Sequence, residues 1–214
     1  MDDNATRKRP SALLLLGPTG AGKTPLGQML EDRGFLGRSC VHFDFGENLR
    51  GVVARNQPDD LISQPEIDFL RSVLETGVLL EDKHFYLAER ILRAFLRQRS
   101  IDADGWIILN GLPRHVGQAE AVEAVVAVRA VVCLVCSDET VYRRIQTNAG
   151  GDREGRLDDD FQAVCHKLET YRRRTAPLLN YYRHSAANVY SIDVMPETSV
   201  EEIWQRFAFF RDDC

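Results

Sequence analysis

Little in this chain could staple it covalently or anchor it in a membrane. Its five cysteines, Cys40, Cys133, Cys136, Cys165 and Cys214, are odd in number and irregular in spacing, which argues against a disulfide framework. Cys133-x-x-Cys136 lies in the apolar run Val131–Cys136. Strand positions three apart face opposite ways, so buried small hydrophobes are expected there, not a redox pair or a zinc site. Free thiols suit a reducing cytoplasm. No apolar run nears the ~20 residues of a membrane span. The charged stretch Met1–Arg9, followed by only a short apolar run, does not read as a signal peptide. Five histidines show no metal spacing. An excess of positive charge is also missing: 27 Lys and Arg stand against 32 Asp and Glu, a net charge of −5. That argues against a nucleic-acid polymer as partner. There is no repeat and no low-complexity tract. What is there, 44% hydrophobic and 28% charged residues over 214 positions, suits one globular domain with a real core.

Short apolar runs read as buried strands at Ala12–Leu16, Val41–Phe43, Trp106–Leu109, Val131–Val135 and Asn188–Ile192. Apolar residues at 3–4 spacing predict helices at Gly27–Asp32, Glu66–Glu75, Lys83–Arg99, Gln118–Val128, Glu139–Gln146, Asp158–Tyr182 and Val200–Phe210. Alternating strands and helices imply an α/β fold, a five-stranded parallel sheet flanked by about eight helices. Asn56–Asp60, Ala149–Gly155 and Asp193–Thr198 read as loops, and the Gly-rich second one as a short lid. Trp106 and Trp204 are expected in the core. His115 and the run Arg172–Arg174 are expected at the surface.

The segment directly behind the first strand is Gly17-Pro18-Thr19-Gly20-Ala21-Gly22-Lys23-Thr24, which fits G-x-x-x-x-G-K-[ST] at every fixed position. Backbone N–H groups of such a loop wrap a di- or triphosphate, and the helix behind it points its positive end at the same oxygens. Lys23 would neutralise the β- and γ-phosphates and Thr24 would offer its hydroxyl to Mg²⁺. Pro25 falls in the first helical turn, where its missing N–H needs no partner. A nucleoside triphosphate is therefore the expected ligand.

Phosphoryl transfer is mostly positioning and charge neutralisation, so a kinase needs several cations aimed at one point. In an open α/β sheet that point lies beyond the carboxyl ends of the strands. Asn110-Gly111-Leu112-Pro113-Arg114 follows a strand at that edge. Gly111 lets backbone approach a ligand, and Pro113 stiffens the turn holding Arg114. Arg50 follows another strand, and Arg153 and Arg156 lie in or beside the Gly-rich loop.

At this point the chain resembles the adenylate kinase family of nucleoside monophosphate kinases, from about Leu13 to about Phe207. Phe43-Asp-Phe-Gly-Glu-Asn-Leu-Arg50 is similar to the family's T-G-D-x-L-R segment. Leu74–Leu80 with Asp82 is similar to its x-G-x-L-V-x-D stretch. Ile108–Arg114 followed by Gln118-Ala-Glu-Ala121 is similar to D-G-F-P-R-x-x-x-Q-A. Gly155–Asp159, Leu168–Tyr171 and Thr175–Leu178 with Tyr181-Tyr182 resemble the segment that closes the lid.

The resemblance implies a three-layer P-loop kinase fold with a helical acceptor arm at about 44–83 and a short lid at about 147–157. It implies transfer of the ATP γ-phosphate to a nucleoside monophosphate, most readily AMP, with Mg²⁺, by a cytoplasmic monomer. Arg50 and Arg114 would hold the acceptor phosphate, Gln118 would read its base, and Phe45, Leu80 and Gly111 would line its site. Arg144, Arg156 and Lys167 would gather as the lid closes. The lid lacks a cysteine cluster, so no structural zinc is expected.

The departures are equally specific. Asn110 stands where the family has an aspartate near Mg²⁺, so Glu47 or Asp44 would supply that charge, with Asn110 acting through water. Lys167 and Asn148 replace arginines, and Phe45 replaces a threonine. Two other readings stay open: a UMP/CMP or broader monophosphate kinase, and a nucleotide-binding protein with weak or lost kinase activity.

Overall fold

The computed structural model describes residues 9–99, 101, 104–152 and 160–209. Five strands form one sheet: β1 (Ser11–Leu16), β2 (Cys40–Asp44), β3 (Trp106–Asn110), β4 (Ala127–Val135) and β5 (Asn188–Asp193). Their order is β2-β3-β1-β4-β5, and every neighbouring pair is parallel. Parallel strands need crossovers, and here they are helices on both faces. The three inner strands are apolar at consecutive positions because both faces are covered.

Alternate residues of each strand enter two cores. Leu14, Leu16, Phe43, Ile107, Leu109 and Val131 pack with α4 (Phe85–Gln98), α5 (Val116–Glu123) and α8 (Pro177–Arg183). Leu13, Leu15, Ile108, Val132 and Leu134 pack with α1 (Lys23–Arg33) and α9 (Val200–Phe209). Each such buried side chain contributes roughly 1.5–3 kcal/mol. Against the first core stands a helical arm, α2 (Phe45–Arg55) and α3 (Gln64–Thr76), carrying Leu49, Val52, Ile67 and Leu70 inward. A small third cluster, Val141, Val164 and Leu168, joins α6 (Asp138–Gln146) to α7 (Phe161–Thr170).

Three helical readings need correction. The helix expected at Gln118–Val128 ends at Glu123, and β4 begins at Ala127. Val125, Val126 and Val128 are β-branched and buried, and a strand covered on both faces has no period that separates it from a helix. Arg129 is the bulged residue where the register of β1 on β4 shifts, and it is exposed between buried neighbours. The single helix expected at Asp158–Tyr182 is α7 and α8 joined by a π turn, Tyr171–Thr175. Pro177 has no N–H for the carbonyl four residues back. The ladder widens there, and Ala176 N–H bonds the Tyr171 carbonyl at 2.8 Å. Helix α2 was not read from periodicity, although it falls within the helical arm expected at about 44–83; Asp44 caps it, its Oδ1 accepting from Glu47 N–H at 3.0 Å.

Among the described residues no helix is long and apolar enough to cross a membrane. The cysteines behave as small hydrophobes: Cys40 and Cys133 are buried, and burial pushes the Cys40 and Cys136 thiols up to about 11. Thiols react as thiolates. Alkylation of half-buried Cys136 is therefore expected to be very slow at pH 8 and to quicken about tenfold per pH unit toward pH 10. Peptide mapping by mass spectrometry after timed alkylation checks this; fast labelling of Cys136 at pH 8 contradicts it.

Candidate active site

The loops after β1, β2 and β3 converge beyond the carboxyl ends of the strands, on either side of the point where the strand order reverses. They enclose a cavity of about 260 Å³. The loop 17–22 forms one wall. Gly17 has φ 145°, and a Cβ there would lie 2.8 Å from the Leu134 carbonyl oxygen, so only glycine lets β1 turn so close to β4. Helix α1 starts at Lys23, aiming its N-terminal N–H groups into the cavity. Lys23 Nζ donates to the carbonyls of Gly17 at 2.8 Å and Pro18 at 2.6 Å. Gly17, Thr19, Gly20, Gly22, Lys23 and Thr24 line the cavity; Ala21 is turned into the core.

Thr24, Asp44 and Asn110 meet at one point. Asp44 and Asn110 are register partners at the ends of β2 and β3, on the sheet face that α1 covers. Asp44 Oδ2 accepts from Thr24 Oγ1 at 2.9 Å and from Asn110 Nδ2 at 2.8 Å, and Asn110 Nδ2 also reaches Thr24 Oγ1 at 3.0 Å. Asp44 is therefore the carboxylate beside the loop's hydroxyl. Glu47, the other residue expected there, gives only its backbone N–H to Asp44; its side chain is exposed and outside the cavity. One hydroxyl and one carboxylate make a hard-oxygen donor set. It suits Mg²⁺, which keeps most of its ligands as water and phosphate oxygen. No group of three or more His, Cys, Asp or Glu side chains that could hold a metal ion occurs among the described residues.

Arg114 lies on the opposite wall, fixed by its backbone. Its N–H donates to Gln118 Oε1 at 2.8 Å, and its carbonyl accepts from Thr175 Oγ1 at 2.7 Å. Burial pushes its guanidinium below the usual arginine value, with the charge of Asp44 opposing. A half-buried cation beside the space for a ligand is best offset when an anion fills that space. Arg50, one turn into the arm, lines the same cavity, as does Lys167 from α7. Tyr171 also reaches it from the π turn; its hydroxyl bonds the Cys133 thiol, and burial raises its pKa.

Phe45, Leu49, Val73, Leu74 and Leu80 form an apolar recess with Gln118 at its end. The Gln118 side chain is 1% exposed, and both ends of its amide are engaged. Nε2 donates to the Leu80 carbonyl at 2.8 Å, while Oε1 takes the Arg114 N–H. The same Leu80 carbonyl lies 3.1 Å from His115 Nε2, and His115 Nδ1 lies 3.5 Å from Asp82 Oδ1. His115 is thus buried at 6% exposure, not on the surface as expected. Its place directly behind Arg114, opening α5, was the signal.

Arg144 is 2% exposed, and its Nε and Nη1 donate to backbone carbonyls beside the loop. Asn148 sits just past α6 with φ 47°, a left-handed position that asparagine accepts better than arginine. Arg153 and Arg156 lie outside the described residues. Of residues not expected in the site, Asp152, Tyr171 and Thr175 line the cavity. Thr175→Val, which removes the bond to the Arg114 carbonyl, is expected to cost about 1 kcal/mol of stability. Urea unfolding with an unchanged slope checks this; an unchanged midpoint contradicts it.

The family model described as an AAA domain matches residues 13–174. An adenylate kinase from Synechococcus sp. (strain CC9902) is 32% identical over 202 residues, 92% of this chain and 96% of that protein. One from Parvibaculum lavamentivorans is 32% identical over 80% of this chain and 78% of its own length. One from Thermus thermophilus is 33% identical over 80% and 82%. A gluconokinase structure from Sinorhizobium meliloti 1021 overlays at TM-score 0.49 and 14% identity, over 96% of this chain and 99% of that one; likeness at that level does not bear on substrate.

Proposed function

The chain belongs to the adenylate kinase family and is a phosphotransferase; from that premise we propose that it moves the γ-phosphoryl group of ATP to a nucleoside monophosphate, AMP first. The observation that carries the acceptor half is Arg114, a half-buried guanidinium that lines the same cavity as the P-loop. Together with Arg50 it makes a seat for an anion that is neither the triphosphate nor a protein carboxylate.

The residues then divide the work. The backbone of Gly17–Gly22 and the N-terminus of α1 cradle the donor phosphates, and Lys23 swings from the Gly17 and Pro18 carbonyls to the phosphate oxygens. Thr24 would hold Mg²⁺ directly and Asp44 through water, with Asn110 keeping the carboxylate turned inward. When bound, the ion would supply positive charge to offset the charge developing on the donor phosphates. An oxygen of the acceptor monophosphate attacks Pγ as the bond from Pγ to the β–γ bridging oxygen breaks, and ADP departs with that electron pair. The attacking oxygen is already ionised near pH 7, so no general base is required, and positioning and charge supply the rate. Lys167, and Arg156 from the lid, would meet the transferred group.

The acceptor base would enter the recess of Phe45, Leu80 and Gln118. A glutamine amide suits adenine, since it presents a donor and an acceptor side by side. Phe45 removes a hydroxyl, and the amide already has a partner at each end; those observations favour the second reading, a UMP/CMP or broader kinase. Free thiols among the described cysteines suit a reducing cytoplasm.

Coupled assays with ATP, Mg²⁺ and each of AMP, CMP, UMP and GMP test the proposal. Turnover is expected with AMP foremost, and Lys23→Ala is expected to lose about 10³-fold or more with its circular dichroism unchanged. Binding without turnover for all four acceptors, or near-native turnover by Lys23→Ala, overturns it. Asp44→Asn keeps an oxygen to cap α2 but loses the charge. It is expected to weaken Mn²⁺ binding to the ATP complex about tenfold, read by calorimetry; unchanged affinity removes Asp44 from the metal's surroundings.

A further inference from the structure

His115 stands at the start of α5, and both nitrogens of its buried ring face oxygens that only accept. Nε2 lies 3.1 Å from the Leu80 carbonyl, which also receives Gln118 Nε2 at 2.8 Å. Nδ1 lies 3.5 Å from Asp82 Oδ1. A carbonyl has no hydrogen to give, so Nε2 must carry one. In the neutral ring that leaves the lone pair of Nδ1 turned toward a carboxylate. Only the imidazolium has a donor for each oxygen. Gly117 leaves room for this approach: a Cβ there would lie 2.6 Å from either Asp82 oxygen. Other charges stand nearby. Glu81 acts on the ring and is engaged through both oxygens by Arg174 of the π turn, at 3.1 and 3.0 Å. Lys83 follows Asp82 in the chain, and Arg114 precedes the ring. The Glu81–Arg174 pair carries no net charge, so Asp82 is the carboxylate that the ring meets.

We propose that His115 is a positioning residue for the acceptor: as imidazolium it pins the Leu80 carbonyl and the Asp82 carboxylate to the start of α5, and so fixes the wall of the recess that takes the acceptor base. Leu80 lines that recess from the segment that returns from α3 to α4. Pinning its carbonyl also steadies Gln118, whose Nε2 shares it. An imidazole changes charge between about pH 5 and 8. The pin is therefore complete at the acid end and loses its Nδ1 arm as the pH rises. Glutamine in this place keeps an Nε2 donor for Leu80 but has no charge for Asp82. The inference rests on the acceptor half of the proposed function, and it concerns affinity for a monophosphate rather than transfer.

Calorimetry with AMP and no ATP, on the native protein, His115→Gln and Asp82→Asn, tests this at about pH 8.5 and about pH 5.5. The titration of the monophosphate itself is common to all three and cancels in the ratio of variant to native Kd. For each variant that ratio is expected to stay within about twofold at the higher pH and to reach about fivefold at the lower, with the ratio for ATP flat. An AMP ratio that does not change with pH overturns the proposal, as does an equal change for ATP. Asp82 is exposed, so Asp82→Asn decides alone should His115→Gln fail to fold. Nitrogen NMR of the ring needs no ligand: at the higher pH the hydrogen is expected on Nε2, and a hydrogen on Nδ1 instead overturns the proposal. Should AMP not bind the native protein at all, the acceptor reading fails and the inference with it; bound AMP with a flat ratio removes the pin alone.

Discussion

One hydrogen-bonded knot sets the site. Asp44 Oδ2 receives Thr24 and Asn110 together, while its Oδ1 caps the helix that carries Arg50. A single carboxylate thus joins the first turn of α1, the end of β3 and the acceptor arm. The family's usual arrangement puts the acid at the end of β3. Here β2 and β3 run in register, so the charge can move one strand over and still reach the loop's threonine. The amide left at Asn110 becomes the partner that orients it.

The rest of the site is an exercise in placing cations without wasting them. Buried cations are tolerable when an anion comes to them or when fixed dipoles surround them. Arg114 is of the first kind: its backbone is pinned from α5 and from the π turn, and its charge faces the cavity. Arg144 is of the second kind, its Nε and Nη1 held by backbone carbonyls.

Much of this was legible beforehand. The five strands and their parallel order follow from short apolar runs alternating with helical patterns, and the Gly17–Thr24 motif located the donor end. Arg50 and Arg114 were singled out by their position just past strand ends, and Gln118 by the family resemblance. What escaped had physical causes. A strand buried on both faces has no period, so its first residues, Ala127 and Val128, read as helix. Pro177 made a π turn that no propensity announces. The fate of Arg144 depended on carbonyls some 50 and 120 residues away in sequence, and the burial of His115 on the Leu80 carbonyl. Such long-range pairings carry no local signature.

The account stands or falls on where the phosphoryl group goes. Phosphorus NMR of the protein with ATP, AMP and Mg²⁺ follows every phosphate at once. The account requires ATP and AMP to disappear together and two ADP to appear for each pair consumed, with no inorganic phosphate. Loss of ATP to ADP and free phosphate while AMP and the other monophosphates persist would contradict it.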